Sequence, residues 1–119
     1  MEDDFDKVLL REIKGASRRS GNEWVIPLAK VKQAIELAGQ HAIAVLGVEL
    51  FRLLSEGVAT EGYSGYDFEF GGNWASFVSK NNQSAAEYVE EHQSGEAYGY
   101  ILTTASENEF ARLRDHTNG

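Results

Sequence analysis

No cysteine occurs among the 119 residues, and proline and methionine appear once each, at Pro27 and Met1. The missing thiols rule out a disulfide framework, a cysteine nucleophile and every thiolate metal site, and they lead us to expect a reducing, cytoplasmic compartment. Long apolar runs are lacking too. The longest, Ala42 to Leu54, is interrupted by Gly47, Glu49 and Arg52 and is too short for a bilayer, so no membrane segment is expected. The opening Met1-Glu2-Asp3-Asp4-Phe5-Asp6 is acidic where a signal peptide needs basic residues ahead of an apolar stretch.

Basic residues are scarce beyond residue 48. Residues 1–48 hold 7 acids and 7 bases, whereas residues 49–110 hold 11 acids against only Arg52 and Lys80, a net of −9 within a chain of net −8. Such a field repels nucleic-acid phosphates and anionic lipid headgroups, and it speeds encounter with a basic protein. Solubility alone is the competing explanation. Hydrophobic residues at 42% and charged residues at 25% match a globular chain, and the length suits one domain over residues 1–119.

The periodicities predict an α+β fold. Phe5, Val8, Leu9 and Ile13 recur at helical spacing up to Gly15, followed by a polar loop from Ala16 to Asn22. Pro27 suits the start of a second helix whose inner stripe is Leu28, Val31, Ile35 and Ala38, with Gly39 placed to end it in a left-handed cap. Ala42 to Leu54 reads as a central strand covered on both faces, with a buried helix as the alternative. Glycines 57, 62 and 65 mark a turn-rich loop, and Tyr66 to Phe70 alternates aromatic with acid as a half-buried strand does.

Asn73 caps a helix carrying Trp74, Phe77, Val78, Ala85, Tyr88 and Val89 and running to about His92. Tyr98 to Thr104 is β-rich, and Ser106 with Glu109 forms a capping box for a last helix bearing Phe110 and Leu113. The expected order is α-α-β-β-α-β-α, with a small, mostly antiparallel sheet of three or four strands packed by helices.

No catalytic centre emerges from the residues. His41, His92 and His116 have no metal-site spacing, no glycine pair makes a phosphate loop, and Gly62-Tyr63-Ser64-Gly65 lacks the strand-to-helix setting of a nucleophile elbow, its serine reading as a turn residue. No cofactor is expected and the chain is read as a binder, not an enzyme. Glu49 interrupts a strand that otherwise reads as buried, so it either sits at a solvated edge, pairs with a neighbour such as Arg52, or lines a binding cleft. Together Glu49, Glu61, Tyr63, Tyr66, Asp67 and Glu69 form the best candidate recognition surface. Tyrosines supply contact area at low entropic cost and the acids can meet arginine or lysine. Equally, Tyr66, Phe68 and Phe70 can be the core face, leaving Tyr63, Asp67 and Glu69 outside. Convergence of Glu49, Asp67 and Glu69 in a deep pocket would instead suggest carboxylate catalysis.

Over roughly residues 26–104 the chain resembles the small immunity proteins of bacterial polymorphic-toxin systems, specifically immunity protein family 40. The resemblance rests on the Ile26 to Ala38 helix, the Ala42 to Glu49 strand, Tyr66-Asp67, Trp74 opening a helix with Ala85 to Val89, and the Tyr98 to Thr104 strand. At Val48-Glu49 the chain departs from that family's Gly-Gly-Asp tendency. The resemblance implies a protein that binds a cognate toxin inside the producing cell and blocks it without catalysis. A basic toxin such as a nuclease fits the charge, since carboxylates can occupy a phosphate-binding cleft. The alternative is an acidic protein-binding or regulatory module without catalytic activity.

Overall fold

The computed structural model describes residues 4–21, 23–54, 57–65, 73–92 and 98–118, and for residues 54, 57–65 and 113–118 it describes the backbone alone. The elements run α1 (Asp4–Val8), α2 (Arg11–Ala16), β1 (Arg18–Ser20), β2 (Glu23–Pro27), α3 (Leu28–Gln40), β3 (Ala44–Leu54), β4 (Gly57–Gly65), α4 (Trp74–Glu91), β5 (Tyr98–Ala105) and α5 (Glu107–Asn118). Four strands in the order β2-β5-β3-β4 make the main sheet, and β1 extends it through a hairpin with β2. All these ladders are antiparallel, so the fold is α+β as the sequence predicts.

Several local readings change. The first helix breaks at Leu10, whose extended backbone lets α2 start afresh, yet Phe5, Leu9 and Ile13 all still reach the core. The polar stretch expected to be a loop holds β1, which pairs Arg18 with Val25 and Ser20 with Glu23 around Gly21 at φ 62°. Its residues look loop-like because this edge strand is largely exposed and has no apolar face to show. Residues 57–65 form β4 where a loop was expected, and the predicted strand at Tyr66 to Phe70 lies outside the described residues.

The second helix ends three residues later than the glycine suggests. Gly39 lies inside α3, and Ala42 takes the left-handed conformation at φ 57°. There Ile43 N–H donates to Ala38 O at 2.8 Å and Ala42 N–H donates to Gly39 O at 3.2 Å, the two bonds of a Schellman ending. An alanine in this role gives up about 1–2 kcal/mol to the clash of its Cβ.

Alternation along β2, β3 and β5 divides the sheet into two faces. Ile26, Val48, Leu50, Tyr100 and Leu102 turn toward the helices and bury with Phe5, Leu9 and Ile13, Val31, Ile35 and Ala38 of α3, and Ala85 and Val89 of α4. Val25, Phe51 and Ile101 make a separate cluster on the opposite face, joined by the partly buried Leu53. Tyr100 is fully buried, and its hydroxyl donates to the carbonyl of His92 at the end of α4 at 2.8 Å. Burial raises the phenol pKa above its ordinary value, with Tyr88 adding to the rise.

The N-terminal half of α4 builds a third cluster. Trp74 and Phe77 meet Phe110 of α5 with ring centroids 5.1 to 5.6 Å apart, against Ala44, Leu46 and Ala105. The helix is one continuous element and starts as its sequence predicts, with Asn73 Oδ1 accepting from Ser76 N–H at 2.8 Å. The capping box of α5 is formed as well: Ser106 N–H donates to the Glu109 carboxylate and Glu109 N–H donates to the Ser106 hydroxyl.

Candidate functional site

Glu49 stands in the middle of β3 on the face opposite Val48 and Leu50, half-buried, and is paired in register with Ile101 of β5 and Tyr63 of β4. Strand alternation puts exposed Arg52 on the other face from Glu49, so these two side chains do not stand side by side. Glu61 is the extra residue of a bulge: Gly62 opposes Leu50 and Thr60 opposes Phe51, with Glu61 between them. The fold therefore brings the positions of Glu49, Glu61 and Tyr63 together along β3 and β4. Tyr66, Asp67 and Glu69 lie outside the described residues. Ser64 pairs with Val48 inside β4 and is a strand residue, not the turn residue its glycine neighbours suggest.

Two side chains of α4, Trp74 and Asn82, hold the chain where β3 begins, and of these Asn82 was not singled out by the sequence. Among the described residues β4 pairs with β3 as far as Gly47, and the start of β3 lies beyond that ladder. There Asn82 stands in the place of a neighbouring strand. Its buried carboxamide accepts from Val45 N–H at 2.8 Å and donates to Ile43 O at 3.0 Å, as a neighbouring strand's peptide would. Trp74 donates its indole N–H to Ala42 O at 2.7 Å. Just beyond, Leu46 is an extra residue in the β3 ladder with β5, because Val45 opposes Thr104 and Gly47 opposes Thr103. That single insertion decides which face receives Glu49. A polar pair such as Asn81-Asn82 inside an amphipathic helix is the one sequence signal that could have pointed to this anchor.

A second polar network ties the N-terminal helices to the rest. Asp4 accepts from the Ser106 hydroxyl, and its own N–H donates to Glu109 at 3.2 Å. The hydroxyl bond is the main reason its carboxyl sits below the ordinary pKa, with Lys7 adding to it. For Asp6, burial pushes the pKa up. The Trp24 indole N–H at 2.8 Å and Lys14 at 3.3 Å outweigh that and leave it lowered. Arg19 lies over the Trp24 ring, 4.4 Å from its centroid. Lys32 of α3 pairs with Glu90 of α4.

Two histidines, His41 and His92, stand at helix ends. His92 stacks on Tyr88 with centroids 4.1 Å apart, and its Nδ1 lies 2.9 Å from Tyr88 O, while exposed His41 caps α3. Among the described residues no group of three or more histidine, aspartate or glutamate side chains could hold a metal ion. No helix among them is long and apolar enough to cross a membrane. Comparison of the chain with protein-family models, with curated proteins and with solved structures finds no match in any of the three.

Proposed function

We propose that this chain is an immunity protein that binds and neutralises a basic toxin, with β3, β4 and the acidic stretch that follows as its contact surface. The observation that carries the reading is the charge division: a net of −9 over residues 49–110, a segment that opens with Glu49, paired in register with Tyr63. Acidic surface of this kind raises the encounter rate with a basic partner, and tyrosines add contact area. The resemblance to immunity protein family 40 supports a toxin as that partner.

The test is to express the chain with the toxin encoded by the neighbouring reading frame, and to measure association across a salt series and the protection of growing cells. The association rate should fall as salt rises. Glu49→Lys, Tyr63→Ala and Asp67→Ala are made singly, each checked for folding by circular dichroism. Loss of one buried charged contact should cost about 2–5 kcal/mol of affinity, expressed mainly as faster dissociation. If all three fold and protect as the parent does, this surface is not the inhibitory one. A neighbourhood without a toxin gene favours the regulatory-module reading.

A further inference from the structure

We draw no further inference here: the strongest candidate, the sheet face on which Val25, Phe51 and Ile101 cluster beside half-buried Glu49, carries nothing because nothing in the structure shows what covers it.

Discussion

The two ends of β3 are held in different ways. From Gly47 to Arg52 the strand has a backbone ladder on each side, to β4 and to β5. Ahead of Gly47 the β5 ladder continues, and among the described residues the other side of the chain is held by two side chains of α4, Trp74 and Asn82. A ladder is indifferent to most side-chain changes because peptides make it. A side-chain clasp stands or falls with single residues. The clasp also holds the strand just before the Leu46 bulge, through bonds that span 32 to 39 positions of the chain.

Trp74→Ala should show the largest effect, a loss of about 3–5 kcal/mol in urea unfolding, since it empties a buried aromatic cluster and frees the Ala42 carbonyl. Trp74→Phe separates the two contributions by keeping a ring and removing the indole N–H. Next comes Asn82→Leu, which leaves Val45 N–H and Ile43 C=O without their partner, at about 1–3 kcal/mol for each group. Its control lies on the ladder-held part: exposed Thr103→Ala should change stability by less than about 0.5 kcal/mol. Equal losses in Asn82→Leu and Thr103→Ala would erase the distinction between the two ends.

The same distinction explains what the sequence disclosed. Asn73 and the Ser106/Glu109 box were legible because a cap is satisfied within three residues of itself. The stripe Val31, Ile35, Ala38 on α3 was legible because one period serves one buried face. The β1–β2 hairpin, the glycine-bearing β4 and the role of Asn82 are settled by partners distant in the chain, and their residues carry no local signature of them. Of the candidate site, alternation could mark Glu49 as the odd residue in a buried strand. The bulges at Leu46 and Glu61, which decide what stands beside it, come from ladder register and not from composition.

Ala42 sharpens the comparison from the favourable side. Its left-handed φ of 57° is imposed by the Schellman ending of α3 and by the bond from Trp74. Ala42→Gly should therefore stabilise by about 1 kcal/mol, read as a higher denaturation midpoint. In a Trp74→Phe background the gain should persist, because the Schellman bonds remain. A loss of stability in Ala42→Gly would mean that the glycine's extra freedom in the unfolded chain outweighs the relief of strain.

Side-chain clasps differ from ladders in one more respect: some of them titrate. Asp6 joins α1 to Trp24 of β2 and to Lys14 of α2, and its folded pKa lies below the ordinary value. For a depressed carboxyl, the unfolded chain binds the proton more readily, so stability rises with pH through this range. The contribution is fully present above the unfolded value of about 4 and disappears as pH falls through the lower folded value. In Asp6→Asn the amide can still accept from the indole but has no charge for Lys14 and no proton to take up. The parent should therefore be the more stable of the two at pH 7, by a margin smaller than any above. Urea midpoints measured between pH 7 and pH 2 should draw together below about pH 4, because every other carboxylate, Asp4 included, titrates in both proteins and cancels in the difference. A gap that stays constant across that range would show that the Asp6 clasp does not depend on its charge.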